Sequence, residues 1–313
     1  MNSRPWLFAF SLSLLPLAPA SAQTPPAPPK EQPAPAEAPK PRLEAWPTLP
    51  SDALKIAQTD VERVRKAATD EMAAAGRDGL IKAGAATAPL LLAALGKEKD
   101  EIVRGRIITV LDQVTGAEHT RLMAKEFGSK SRDVRMYVLN RCALYPDKEL
   151  RSLTEPMLAK AVKDTAGVDS DERYAIAVCA TSTGSTAGLL ALHTAAVENW
   201  NKRGVQIRAA LEGVRGPEAS AIVLALLKES DVPKPNDPLQ AKEDRQRVVA
   251  CLNLLAGCGD KSALGKARAF LDSNDNTVRV AAINAVLGIA HNKPPVANLS
   301  AFEAVEMAKK LKS

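Results

Sequence analysis

The sequence predicts an all-α chain organised as a right-handed stack of about six to seven helix pairs. Three observations carry that expectation. Hydrophobic residues are 46% of the 313 but aromatics only 4%, so the core has to be built from Ala, Leu and other aliphatic side chains, which suit close-packed helices better than a β-sandwich. Arg104, Arg135, Arg173, Arg208, Arg247 and Arg279 each precede an apolar run, with spacings of 31, 38, 35, 39 and 32 residues and a mean of 35, the period of stacked helix pairs. Two columns keep register with these arginines. Asp100, Ser131, Asp169, Gly204, Glu243 and Asp275 stand four residues before them, mostly residue types that cap helix N-termini. Ile107, Val138, Ile176, Leu211, Ala250 and Ala282 stand three residues after them and define a core-facing stripe.

The N-terminus reads differently. Arg4 precedes the apolar stretch Trp6 to Leu17, and Ala20, Ser21 and Ala22 follow at the positions a signal peptidase reads. The apolar core is shorter than the ~20 residues of a membrane helix, and Pro16 and Pro19 interrupt any longer helix, so residues 1–22 are expected to be a secretory leader. No later stretch is expected to span a membrane; the longest strongly apolar one is Ala85 to Leu95. From Gln23 to Pro50, ten prolines interleave with Ala, which predicts an extended linker without a core of its own: a tether, a ligand for an aromatic groove, or plain disorder.

The remainder, 51–313, is expected to be one domain. First helices fall near 86–96, 117–127, 148–163, 185–199, 217–229 and 261–272, each followed by an arginine-bearing second helix. The first begins with Pro89 in its opening turn, ahead of Leu90, Leu91, Leu92 and Leu95. An opening helical unit over Ser51 to Gly84 is expected to be interrupted around Gly76 and Gly79, and a closing helix is capped by Ser300. Pro233, Pro235 and Pro238 predict a long projecting loop over Ser230 to Gln240.

Leu80 to Leu111 and Asn276 to Gly288 carry the pattern best, and over 51–313 it resembles HEAT repeats, particularly the short variety associated with phycobilin lyases. The middle units depart from it: Glu172 and Gln246 stand where Val103, Val134 and Val278 precede the arginine elsewhere. Tetratricopeptide landmarks are missing. The resemblance implies that second helices line a concave side that holds another protein.

Catalytic chemistry has few ingredients. His119, His193 and His291 lack a His or Cys at helical ligand spacing, and neither a nucleophile elbow nor a phosphate loop occurs. The acids at 169–172 lie in a helix's first turn and lack the glycine-centred calcium loop. An arginine in the ladder position is expected to be structural, pairing with the capping acid or a neighbouring turn. Cys142, Cys179, Cys251 and Cys258 read as buried thiols, because seven residues of helix separate the last two by about 10.5 Å.

The expected function is therefore a non-enzymatic, exported protein-binding scaffold, periplasmic or secreted, with no catalytic residue, metal or cofactor. Its partner would be another protein, not nucleic acid: the formal charge of +6 is mild. The alternatives are a chromophore-binding enzyme of the phycobilin lyase type and a polyanion-binding module. Arg106, Tyr137 and Arg141 are the expected partner contacts, since their offsets from the ladder arginines place them on a common side away from the core stripe, and the Ser230 to Gln240 loop is the next candidate.

Overall fold

The computed structural model describes residues 43–164, 168–230 and 238–312. The expected leader, most of the linker and the middle of the Ser230 to Gln240 loop lie outside these residues. Among the described residues every regular element is helical. The order is α1 (Ser51–Lys66), α2 (Asp70–Ala83), α3 (Ala88–Leu95), α4 (Glu101–Val114), α5 (Thr120–Ala124), α6 (Arg132–Leu144) and α7 (Arg151–Lys163). It continues with α8 (Ser170–Ser182), α9 (Leu189–Leu211), α10 (Pro217–Ser230), α11 (Pro238–Cys258), α12 (Leu264–Ala269), α13 (Asn276–His291) and α14 (Ala301–Lys312).

Helices alternate as the spacing predicts. First helices α3, α5, α7, α9 and α12 each open with a 3-10 turn, and α5 and α12 are short enough that another 3-10 turn completes the expected length. Second helices start at their expected caps where a short polar side chain is present. Asp100 accepts from the amides of Ile102 and Val103 at 2.8 and 3.1 Å, Asp169 from Glu172 at 2.8 Å, and Asp275 from Thr277 and Val278 at 2.8 and 3.2 Å. Ser131 caps α6 in the same way.

Gly204 and Glu243 are not caps. The chain changes direction five residues before Gly204, at Asn199, whose φ of −159° and ψ of 76° divide α9 into a first and a second helix without an intervening turn. The Asn199 side chain accepts from the Lys202 amide at 3.1 Å, the bond a cap makes, and glycine has no side chain to make it. Glu243 lies inside α11, which begins at Pro238, where proline's missing amide costs nothing. The apolar column is unaffected: Ile107, Val138, Ile176, Leu211, Ala250 and Ala282 are all buried. All four cysteines are buried free thiols, and burial pushes Cys179 and Cys258 up to about 12, so neither supplies a thiolate.

Two features of the first unit differ from expectation. Helix α2 runs unbroken through Gly76 and Gly79 because these glycines serve contact with α1. A Cβ at position 76 would sit 2.8 Å from the Asp60 carbonyl oxygen, and one at 79 would sit 2.2 Å from Asp60 Oδ2. Asp60 itself is buried and receives Arg63 at 2.8 Å. The last residues of the expected linker are also folded: the Leu43 amide donates to the Glu118 carbonyl at 2.9 Å, Lys125 donates to the Glu44 carbonyl at 2.9 Å, and Trp46 stacks on His119 with ring centroids 5.4 Å apart. The stretch Asp70–Leu95 is, contrary to expectation, long and apolar enough to cross a membrane by length and composition. Here it is divided between α2 and α3 by the turn at Gly84, φ 72°, with Leu80, Leu91, Leu92 and Leu95 buried in the core.

Replacing Gly76 by Ala should destabilise the protein by about 1–2 kcal/mol, because separating α1 from α2 outweighs the gain in helix propensity. The same change at Gly105 of α4, where an added Cβ meets nothing within 4 Å, should stabilise by up to ~1 kcal/mol. Urea unfolding of both variants checks the pair of signs.

Candidate binding surface

Four of the six ladder arginines tie their second helix to the turn that precedes it. Arg135 Nη1 donates to the carbonyls of Ser129 and Lys130 at 2.8 and 3.2 Å, Arg173 to Val168 at 2.8 Å, and Arg279 to Ser273 at 2.6 Å. Arg104 reaches the Lys99 carbonyl more loosely, at 3.5 Å. These carbonyls lie five or six residues back, at the turn, where a guanidinium fork satisfies acceptors that the helix cannot. In the fourth unit Arg203, four residues after Asn199, takes the place expected for Arg208: it pairs with Glu198 at 2.9 Å and Asp171 at 3.2 Å and lies over the Tyr174 ring at 4.7 Å. Arg208 instead lies over Trp200 at 5.4 Å. Arg247, displaced along the longer α11, meets Glu243 and Asp244 of its own helix, at 3.9 and 4.0 Å.

The structural role expected for the ladder holds for these arginines, but the acids that meet them are not their own caps. Arg104 reaches forward to Asp133 at 3.4 Å, and Arg135 grips Glu172 with two bonds of 2.5 and 2.9 Å. Glu172 is buried, so the departure from Val at this position is the acidic half of a pair that crosses from α6 to α8. The neighbouring acids are claimed likewise: Asp169 by Arg132 at 2.5 and 3.1 Å, and Asp171 by Arg203. Hydrogen bonding to Glu172 holds the Arg135 guanidinium above its usual range, and donation to its carboxylate by the Arg132 guanidinium and by the Glu172 amide draws Asp169 down to about 2. Among the described residues no group of three His, Cys, Asp or Glu side chains is placed to hold a metal ion.

The three expected partner contacts are committed to the protein itself. Arg106, 7% exposed, donates to Asp70 at 2.6 Å and to the Ala67 carbonyl at 2.7 Å, closing the junction of α1 and α2. Tyr137, 6% exposed, donates to Asp112 at 3.2 Å beside Thr115, and burial pushes its phenol upward. Arg141, 11% exposed, bonds the Thr115 carbonyl, pairs with Asp112 at 3.3 Å and lies over the Tyr145 ring at 4.8 Å. Tyr137 and Arg141 are therefore together at the α4–α6 junction, whereas Arg106 faces the preceding unit. The common exposed side expected for them is corrected: long polar side chains at these offsets are used to bind one unit to the one before it.

What remains open at this junction is a hollow of ≈ 360 Å³ between α4 and α6, with Ile108, Met136 and Leu144 as its apolar wall and Arg104, Asp112 and Asp133 as alternating charges. Ile102 and Leu144, 66% and 61% exposed, stand on these same second helices. Asn140 accepts from Gln206 at 3.2 Å, joining α6 to the second half of α9. Sequence reasoning missed these residues because an exposed Ile or Leu in a helix reads as core. The available signal was the phase: Ile102 is the second residue of α4 and falls off the stripe through Val103, Ile107 and Val110.

Removing Arg135 by substitution with Ala strands a buried carboxylate and should cost about 3 kcal/mol, whereas the double change Arg135→Met with Glu172→Val should be close to neutral. Thermal unfolding by calorimetry distinguishes the two. A second expectation concerns pH. Because the folded value of Asp169 lies below the ordinary 3.8, its stabilisation is full above that value and fades as pH falls from 3.8 towards 2. Asp169→Asn, which keeps a capping side chain, should lower stability at pH 7 and leave it equal to the parent near pH 2, read by urea unfolding at each pH. Compared with known protein families, with curated proteins and with solved structures, the chain matches none.

Proposed function

We propose that this chain is an exported, non-enzymatic scaffold that binds another protein through its second helices, with its helix pairs stacked as a right-handed solenoid of HEAT-like units. The observation that carries the reading is the α4–α6 hollow: an apolar wall beside alternating charges, with Leu144 of that wall in solvent. Exposed aliphatic side chains beside fixed charges suit a protein surface, the apolar part giving affinity and the charges setting register. The leader-like residues 1–22 support export to the periplasm or beyond, where the partner would be met.

Recovery of a partner from a periplasmic or secreted fraction tests the proposal. Leu144→Glu combined with Met136→Glu should reduce capture of the partner retrieved by the parent chain at least about tenfold, as truncation of a central contact does. The melting temperature should stay near that of the parent, because Leu144 is exposed and Met136 lines the open hollow. Undiminished capture by a folded variant places the interface elsewhere.

A further inference from the structure

A second hollow, of ≈ 360 Å³, opens where Asn199 breaks α9, and it differs from the first in chemistry. One wall is a single face of α11, on which Gln246, Ala250 and Asn253 follow one another at successive turns. The kink contributes Asn199, Trp200 and Asn201, and Thr277 in the first turn of α13 bounds the third side.

Asn253 is the telling residue. It is 9% exposed, in a helix where Cys251, Leu252, Leu254 and Leu255 are fully buried, and its carboxamide, which is not sealed from solvent, makes no hydrogen bond among the described residues. A carboxamide presents two donors and an acceptor, which Leu at the same position would not offer to the hollow. The exposed remainder of Asn253 lines the hollow, so its unsatisfied groups are available to whatever fills it.

The charges around the hollow are compensated. Arg245 is paired with Asp275 at 3.2 Å and Glu198 with Arg203 at 2.9 Å. What is offered to an occupant is uncharged: the carboxamides of Asn253, Gln246 and Asn201, the hydroxyl of Thr277 and the indole of Trp200. The indole is held in place by its own helix, lying over Gly204, where any Cβ would come within 2.8 Å of the ring, with the Arg208 guanidinium over it at 5.4 Å. Groups that both donate and accept, next to a fixed aromatic ring, match hydroxyls on a ring carrying C–H faces. The face from Gln246 to Asn253 covers seven residues of helix, about 10.5 Å, room for two sugar rings.

We propose that this hollow is a binding site for a neutral saccharide of about two rings, held by Asn253 and Thr277 against Trp200. It is separate from the protein-binding surface on α4 and α6 and does not depend on that reading.

The test is calorimetric titration of the full chain with cellobiose, maltose and chitobiose, with the Trp fluorescence spectrum recorded alongside. At least one disaccharide should bind with a millimolar or tighter Kd and shift the emission. Asn253→Leu should weaken that binding about tenfold or more while keeping or raising the melting temperature, since Leu suits a helix whose neighbouring positions are apolar and buried. Thr277→Val, a change at the rim that leaves the core alone, should weaken it in the same direction, and Leu144→Glu on the other surface should leave it unaltered. Absence of binding by all three sugars overturns the proposal and leaves water as the occupant. Equal binding by the parent, Asn253→Leu and Thr277→Val overturns the placement. Displacement of a bound sugar's signal by a capped Ala-Pro-Ala peptide of equal or greater affinity overturns the ligand class in favour of a polypeptide.

Discussion

The fold rests on arginines that work in two directions at once. Arg135 satisfies the carbonyls of the turn behind it and closes a two-pronged ion pair with Glu172 ahead of it, so one side chain fixes both the bend within a unit and the contact between units. A buried ion pair adds little net stability compared with apolar packing, but its geometry tolerates few alternatives. Among packed helices of similar composition, where one can substitute for another at small cost, such pairs select the correct neighbour. Arg132 with Asp169 and Arg245 with Asp275 repeat the device between successive second helices at less buried positions.

Much of this architecture was legible in the sequence because it depends on local rules. Asp, Ser and Asn caps, proline at helix starts and an apolar stripe act within a few residues, and first helices appear within about a turn of their expected places. The errors have the same origin. Distance from Arg208 points to Gly204, but capping needs a side-chain acceptor, and Asn199 supplies it five residues earlier. In α11 the helix begins upstream of Glu243, so spacing alone placed Arg247 at a turn that it does not reach. Gly76 and Gly79 read as interruptions because glycine weakens an isolated helix; only the partner helix α1 reveals why they are needed.

The candidate surfaces were less legible, since exposure is a property of the assembled units. Arg106, Tyr137 and Arg141 have the composition of binding residues, and each binds, but to the neighbouring unit. Conversely Leu144 and Asn253 carry the wrong signals for their positions, an aliphatic side chain in solvent and an amide in the core. Their placement follows from the phase of one helix against the next, which a 35-residue period with 31- to 39-residue spacings does not fix. Glu172 is the intermediate case: its break from the Val column was visible, while its partner, 37 residues away, was not.

The segment from Leu43 to Leu49 bears on how the chain comes apart. Helices near a chain end have fewer neighbours and are the first to open. Here the residues ahead of α1 cross to α5, where Leu43 and Glu44 are bonded to Glu118 and Lys125 and Trp46 lies on His119. Helices α1 to α4 are thereby enclosed in a loop whose two ends are joined, and α1 cannot peel away as a free end. Fraying from this side has to release these hydrogen bonds and the indole from the imidazole first, so a strap of a few residues ahead of α1 latches the whole N-terminal third.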